Sequence, residues 1–303
     1  MKLGLGLPHY GSESTPERII EFATYAEELG YDSLWALERL LRPTRPENAP
    51  YAGWKIPDYY ADVFAPIETL TFVAGHTSRA RLGTSVIDAL FHVPAMLARS
   101  LVTLDHFSGG RLDVGLGQGW SIDEFHTANI PWRRRGAGFE EFIEALQAVW
   151  QPDPVKFDGR FYRIPESQIG PKPLQAGGLP LLLGVMQDAV APAERAGRLG
   201  FGLNPMPHEW HQFEQQLAVY RNALPKTAGS GRIVARVNNP VTEHPIAETG
   251  RPPFAGSPEQ VGRDLLRAAE LGIDEVMWDL TQAHVPYDLQ MRLLEPLAAT
   301  RPS

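Results

Sequence analysis

The chain has 303 residues, no cysteine, and a formal net charge of −8 at pH 7. This acidic balance argues against a nucleic-acid-binding protein, which would usually carry a basic face. The absence of cysteine excludes disulfides, thiolate catalysis, zinc ribbons and Cys-bound iron–sulfur clusters, so we expect a protein that acts on a small molecule.

Strand and helix patterns alternate along the whole chain. Thr15 and Pro16 predict the start of the first helix, and Gly30 predicts its end. The predicted strands are 3–7, 32–36, 81–87, 111–116, 180–183, 201–203, 232–237 and 275–279. The predicted helices are 16–29, 66–76, 94–107, 135–150, 189–196, 207–223, 258–271 and 286–299.

Eight strand-then-helix units predict an α/β fold with a parallel sheet, and their number is that of a (β/α)8 TIM barrel. We expect one domain over residues 1–303. A doubly wound open sheet is the alternative. It is disfavoured because no phosphate-binding glycine fingerprint follows the first strand.

Three segments are longer than ordinary connections. They are residues 38–65 after strand two, 120–134 after strand four, and 155–175, which we place before strand five. The last contains a predicted hairpin that turns at Asp158-Gly159. In a barrel, loops that follow strands lie at the catalytic face, so the first two are candidate pocket walls or lids.

No membrane segment or targeting segment is expected. Residues 1–8 contain too few apolar side chains for a signal-peptide core. The most apolar run, residues 179–186, is far shorter than the roughly 20 residues needed to span a bilayer. Together with the lack of cysteine, this pattern favours a cytoplasmic protein.

The sequence contains no self-sufficient catalytic motif. It has no G-x-S-x-G, no H-E-x-x-H and no P-loop. His208 and His211 are three residues apart, but nothing nearby completes a metal shell, so we expect surface polar residues and no metal site. The lack of such catalytic motifs favours chemistry supplied by a cofactor.

Residues at several strand ends are candidates for a functional site, and each also has a purely structural explanation. The glycines of 115–120 permit close approach of a flat ligand, or only a bend at the barrel rim. The segment 184–188 leads into a helix whose N-terminus suits phosphate, although Asp188 is also a plausible N-cap. Glu38 and Arg39 either belong to a functional site or form an ion pair with each other. Arg133-Arg134-Arg135 form a solvated cluster or face an anionic ligand.

Taken together, these segments resemble the bacterial luciferase-like flavin monooxygenase superfamily, and especially its branch that uses the deazaflavin coenzyme F420. The most specific part is the run LD-x-x-SGGR-x-x-x-G-x-G-x-GW at residues 104–120, preceded by residues 81–86 and 94–99 and followed by Glu124-Phe125. Further matches lie at 170–175 with 180–184 and at 254–261 with 271–276. The resemblance covers nearly the whole chain.

The resemblance implies a barrel with a flavin-like ring at its C-terminal face and a cis peptide between Ser85 and Val86 beneath it. It implies cofactor F420, with FMN as the alternative. The implied cofactor-binding residues are Ser85, Val86, Gly117, Gln118, Gly119, Trp120, Gly184, Val185, Met186, Gln187 and Asn204.

Loop positions predict the substrate side of such a site. Aromatic walls with a few polar groups suit a flat, partly apolar substrate. Glu38 or His9 is the candidate proton donor. The other expected pocket residues are Tyr10, Arg39, Tyr51, Trp54, Tyr59 and Tyr60.

The chain departs from the sugar-phosphate dehydrogenases of the F420 branch. Glu38-Arg39 stand where those enzymes have Asp-His, and Trp120 replaces an acidic residue, so a sugar phosphate is not the expected substrate. Gly184-Val185-Met186 also lacks the usual double glycine.

Three functions remain open. The first is hydride transfer with F420, the second is an FMN-dependent monooxygenase, and the third is a ligand-binding relative without turnover. The resemblance also implies a homodimer formed through helices 66–76 and 94–107.

Overall fold

The computed structural model describes residues 1–49, 54–186, 189–226, 229 and 231–302. Eight parallel strands form a barrel in the order β10-β11-β1-β2-β3-β5-β8-β9. Leu203 closes it by donating its backbone N–H to the Arg232 carbonyl at 2.8 Å. The barrel strands are β1 (Lys2–Gly6), β2 (Ser33–Ala36), β3 (Arg81–Thr84), β5 (Leu112–Gly117), β8 (Leu181–Val185), β9 (Gly202–Pro205), β10 (Val234–Val237) and β11 (Glu275–Trp278). The predicted TIM barrel is confirmed.

Helices cover the barrel between successive strands. They are α1 (Pro16–Glu28), α2 (Pro66–Ala74), α3 (Pro94–Phe107), α4 (Ile122–Thr127), α5 (Ala137–Trp150), α6 (Val190–Arg198), α7 (Trp210–Ala223), α8 (Pro258–Glu270) and α9 (Tyr287–Ala298). The Thr15 side chain accepts the N–H of Arg18 at 3.2 Å and so caps α1, as its sequence predicts. At α8, Ser257 and Gln260 form a reciprocal capping box.

The barrel interior is filled at its lower end, which leaves the upper end for a site. Trp35, Leu182, Val234 and Met277 form a buried cluster inside the barrel. Beneath it, the buried carboxylate of Asp113 lies 2.7 Å from the guanidinium groups of Arg81 and Arg232. These ion pairs close the N-terminal end of the barrel.

The three long segments contain more structure than the sequence predicts. Residues 38–65 include a short 3-10 helix, Asp58–Ala61. Residues 120–134 contain α4 and lead into a 3-10 helix, Trp132–Arg135. The hairpin is confirmed: β6 (Val155–Asp158) and β7 (Arg163–Ser167) pair antiparallel between α5 and β8. None of the described helices is both long and apolar enough to cross a bilayer.

Candidate active site

A cavity of about 500 Å³ opens at the C-terminal ends of the barrel strands. This is the end of a TIM barrel at which active sites form. Many of the sequence-predicted residues come together here, although they lie far apart along the chain. Those that line the cavity are Glu38, Arg39, Trp54, Tyr59, Tyr60, Val86, Gly117, Gln118, Gly119, Trp120, Gly184, Val185, Met186 and Asn204.

Three other predicted residues lie behind the lining. Both ring nitrogens of His9 are used by the backbone, since Nδ1 lies 2.9 Å from the Leu7 carbonyl and Nε2 accepts the N–H of Leu37 at 3.2 Å. Burial lowers the pKa of this imidazole. Tyr10 is also buried, and its hydroxyl donates to the Asp279 carboxylate. Ser85 is buried beneath the cavity and donates its hydroxyl to Asn204. Tyr51 and Gln187 lie outside the described residues.

The floor of the cavity is the segment 84–86, between β3 and a short strand, β4 (Ile87–Asp88). Its Ser85–Val86 peptide is cis, as the family resemblance implies. A Cβ added at Gly117 or Gly184 would lie 2.6 or 2.8 Å from the Val86 side chain. A Cβ at Gly115 would lie 2.1 Å from the Thr84 carbonyl oxygen. These glycines therefore make room for the protein's own floor segment.

Buried hydrogen bonds hold this floor from below. The Ser85 hydroxyl donates to Asn204 Oδ1 at 2.7 Å, and Asn204 Nδ2 donates to the Val234 carbonyl at 2.8 Å. Arg236 donates to the Ser85 carbonyl and pairs with Asp279 at 2.8 Å. Burial lowers the pKa of Arg236, but the Asp279 charge outweighs it and keeps that pKa above its usual value.

One wall combines a neutralised arginine with two tryptophans. The Arg39 guanidinium pairs with the wholly buried carboxylate of Glu124, which also accepts the N–H of Leu40 at 2.8 Å. The same guanidinium lies 4.6 Å from the ring centre of Trp120. Trp54 meets Trp120 edge-on at 5.0 Å between ring centres. Arg39 therefore forms an ion pair, but with Glu124 and not with its neighbour Glu38.

Glu38 makes two contacts beside the floor. Its carboxylate accepts the backbone N–H of Asp88 at 2.8 Å and lies 2.8 Å from His92 Nε2. Burial lowers the pKa of His92, but the hydrogen bond and charge of Glu38 outweigh it, so the pKa is raised. Asp88 lines the cavity, and burial raises its pKa to about 6; Arg39 opposes this shift and Glu38 adds to it.

Another part of the cavity lining is basic. Arg135 lines it, stacks over Trp132 at 4.2 Å, and has a buried Nε with no hydrogen-bond partner among the described residues. Burial lowers the pKa of Arg135; the charge of Asp88 opposes this shift, and the charge of Arg195 adds to it. Ala189 and Pro192, at the start of α6, also line the cavity. Of the arginine cluster 133–135, Arg135 faces the cavity and Arg133 is exposed.

Sequence reasoning missed several lining residues. Arg236 and Asn238 lie at the end of β10, and Asp88 lies at the end of β4. The strand-end rule that identified Glu38 would have identified Arg236 and Asn238 as well. The described residues contain no group of three or more His, Asp or Glu side chains arranged to hold a metal ion.

Comparison with known proteins gives one family. The family model described as luciferase-like monooxygenase matches residues 3–248. An uncharacterised protein of Mycobacterium tuberculosis is 36% identical over 165 residues, which are 54% of this chain and 58% of that protein. An F420-dependent glucose-6-phosphate dehydrogenase of Amycolatopsis mediterranei is 29% identical over 204 residues, which are 66% of this chain and 56% of that enzyme. The chain thus spans little more than half the length of these curated relatives.

The fold comparison agrees with the family match. The crystal structure of monooxygenase RslO1 from Streptomyces bottropensis superposes with a TM-score of 0.79 and 23% identity, covering 99% of this chain and 98% of that one. At this identity the likeness concerns the fold alone.

Proposed function

The chain belongs to the luciferase-like monooxygenase family, and on that premise we propose that it is an oxidoreductase that transfers hydride between coenzyme F420 and a small, partly apolar organic substrate. Curated relatives of this chain include F420-dependent dehydrogenases and a monooxygenase. The domain is proposed to be a single barrel unit, and the cytoplasm is the proposed location because the sequence lacks cysteine.

The observation that best supports this proposal is the distribution of charged side chains around the cavity. Arg39 and Arg236 are neutralised by the buried carboxylates of Glu124 and Asp279. Arg135 has no ion-pair partner among the described residues, although the charge of Asp88 acts on it from a greater distance. An anionic group is therefore expected at the Arg135 end, and a neutral group at the aromatic end near Trp120.

The residues present fit a flat cofactor with an anionic tail. The orphaned Nε of Arg135 and the start of α6 provide donors for a phosphate, since the first N–H groups of a helix favour anions. Val86, Gly117 and Gly184 provide a floor without protruding polar atoms. When bound, a deazaflavin supplies a two-electron hydride donor or acceptor, while the protein supplies orientation and exclusion of water.

At the other end, the chain's own residues define the space for the substrate. Trp54, Trp120 and Tyr60 form an aromatic wall, which suits a flat and partly apolar molecule. The charge of Arg39 is engaged by Glu124, so this end lacks a ready partner for a substrate phosphate. A sugar phosphate is therefore not the proposed substrate, although one relative is a glucose-6-phosphate dehydrogenase.

Titration of the cofactor-free protein tests the proposal. F420 and FMN are added separately, and binding is followed by the fluorescence of each ring. Micromolar binding of F420 with little FMN binding is expected. Tight FMN binding alone would refute F420-dependent hydride transfer and favour an FMN-dependent monooxygenase. Binding of neither would favour the ligand-binding alternative.

A pair of arginine variants tests the orientation of the cofactor. Arg135→Gln should weaken binding of the phosphate-bearing cofactor about tenfold, because a charge-assisted contact to phosphate contributes about 1.5 kcal/mol or more. Arg133→Gln is the matched control, since Arg133 is exposed two residues away. Equal affinities of the two variants would contradict this orientation.

We also propose a homodimer formed through α2 and α3. Exposed apolar side chains on these helices support it, since Phe72, Met96 and Phe107 are 43%, 67% and 66% exposed. Met96→Asp should shift the mass measured by light scattering from dimer to monomer. Leu266→Asp, at a 56% exposed site on α8, is the control. A monomeric wild-type protein would refute the proposal.

A further inference from the structure

The carboxyl group of Asp88 is placed to exchange a proton with a bound substrate. It lines the cavity at the edge of the floor, beside Gly117, where an added Cβ would lie 3.0 Å from its Oδ1. It is also only 6% exposed, so its proton would not be shared freely with bulk water. Of the two donors that sequence position favours, Glu38 lines the cavity but is more exposed, and His9 is buried but does not line the cavity.

Those two groups are committed elsewhere. Both ring nitrogens of His9 are engaged by backbone groups, and the ring does not line the cavity. The two carboxylate oxygens of Glu38 are engaged by His92 and by the N–H of Asp88. The Asp88 carboxylate has one ion-pair partner within 4 Å among the described residues, because its Oδ2 lies 3.6 Å from Arg39 Nη2. That guanidinium is already paired more closely with Glu124. Asp88 is therefore the carboxyl group whose proton is least committed to the protein.

We propose that Asp88 is the proton donor of this site and protonates the substrate atom next to the carbon that receives hydride. The proposal rests on the proposed hydride-transfer function. In reduction of a carbonyl, the carbon–oxygen π bond breaks, and the carbon gains a hydride with both its electrons from the reduced cofactor, which is oxidised. The oxygen gains the proton of the Asp88 carboxylic acid, whose O–H bond breaks, and a carboxylate remains.

The surroundings of Asp88 suit both protonation states. Burial raises its pKa to about 6, close to neutral pH, which is where a general acid works best. After transfer, the carboxylate is stabilised by the Arg39 guanidinium and by the backbone N–H of Gly119. The charged and titratable groups that face it are Arg39, Glu38, His92, Arg135 and Tyr60.

The first experiment requires no cofactor. The pH titration of 13C-labelled aspartate carboxyl groups is followed by NMR in the cofactor-free protein. One resonance should titrate between pH 5 and 7 and be missing in Asp88→Asn. In Glu38→Gln it should titrate at lower pH, because the charge of Glu38 raises the pKa of Asp88. A fully ionised Asp88 at pH 5 would overturn the proposal.

The second experiment measures turnover with a flat aryl ketone, acetophenone, as the probe and reduced F420 as the hydride source. Asp88→Asn should lower kcat/KM at least 100-fold and remove its decline above pH 6, whereas Asp88→Glu should regain part of the rate. The Kd for F420 should stay within threefold of wild type, which a merely structural role would not predict. Wild-type pH dependence in Asp88→Asn, or a larger loss in Glu38→Gln, would overturn the proposal. Failure of F420 to bind refutes the proposed function, and the NMR titration then still decides whether Asp88 holds the proton.

Discussion

The glycines around the cavity floor should be required for stability even when no ligand is bound. A methyl group added at Gly115 would lie 2.1 Å from the Thr84 carbonyl oxygen, far inside ordinary carbon–oxygen contact. The backbone there cannot easily move, because the Thr84 hydroxyl bonds both the N–H and the carbonyl of Gly115 at 2.9 Å. If these glycines served only ligand approach, alanine at position 115 would leave the ligand-free protein unaffected.

The expected cost can be estimated from core overpacking, which typically destabilises by 1–3 kcal/mol and occasionally by more. Because Gly115 meets backbone, we expect about 3 kcal/mol for Gly115→Ala, or a Tm lower by about 5 °C for a chain of 303 residues. Gly262→Ala is the matched control, since it lies within α8 with its nearest neighbour atom at 3.6 Å. There, alanine should stabilise the helix by up to about 1 kcal/mol.

A double-mutant cycle separates the two kinds of contact. At Gly117 and Gly184 the added Cβ meets the Val86 side chain, whereas at Gly115 it meets the backbone. Val86→Ala should therefore restore part of the Tm lost in Gly117→Ala and none of that lost in Gly115→Ala. The reasoning is refuted if Gly115→Ala melts within 2 °C of wild type, or if Val86→Ala rescues it.

Two further predictions concern pH and stability. Burial raises the pKa of Asp113, but hydrogen bonds from Arg81 and Arg232 outweigh it, so the pKa is lowered and the stability it contributes is complete above about pH 4 and lost below it. Asp113→Asn should lower the free energy of unfolding at pH 7 by about 3 kcal/mol and flatten its acid dependence, as measured by urea denaturation; an unchanged acid limb would contradict this. The folded protein holds the Asp88 proton more tightly than the unfolded chain does. The contribution of Asp88 to the free energy of unfolding therefore falls as the pH rises from about 4 to 6. The Tm of Asp88→Asn relative to wild type should therefore rise between pH 4 and 7, and a constant difference would argue against the raised pKa.

The order of elements could be predicted because it depends on local sequence patterns. The strand patterns that recur between amphipathic helices predict all eight barrel strands, with ends displaced by one to three residues, as at 232–237 against β10 (Val234–Val237) and 81–87 against β3 (Arg81–Thr84). Helix α4 was not predicted, because its six residues are too few to show a helical period. It lies within the predicted loop 120–134.

Site residues could be predicted from the sequence only where they directly follow a predicted strand. Glu38 and Trp120 line the cavity as their positions suggest, but His9 follows β1 in the same way and its ring is held by the Leu7 carbonyl and the Leu37 N–H. Asp88 was missed because the predicted strand 81–87 concealed the break after β3. The partner of Arg39 is 85 residues away along the chain, so no local pattern identifies it.

The pairing of Arg39 with Glu124 also joins the two long insertions into one wall. Asn48 strengthens this link, because its amide donates to the Trp120 carbonyl at 2.7 Å and accepts the N–H of Ile122 at 2.8 Å. A change confined to one insertion would leave a buried charge in the other without its partner, which is strongly unfavourable. The two insertions therefore form one unit, and Arg39→Met combined with Glu124→Met should lower the Tm less than either single substitution does.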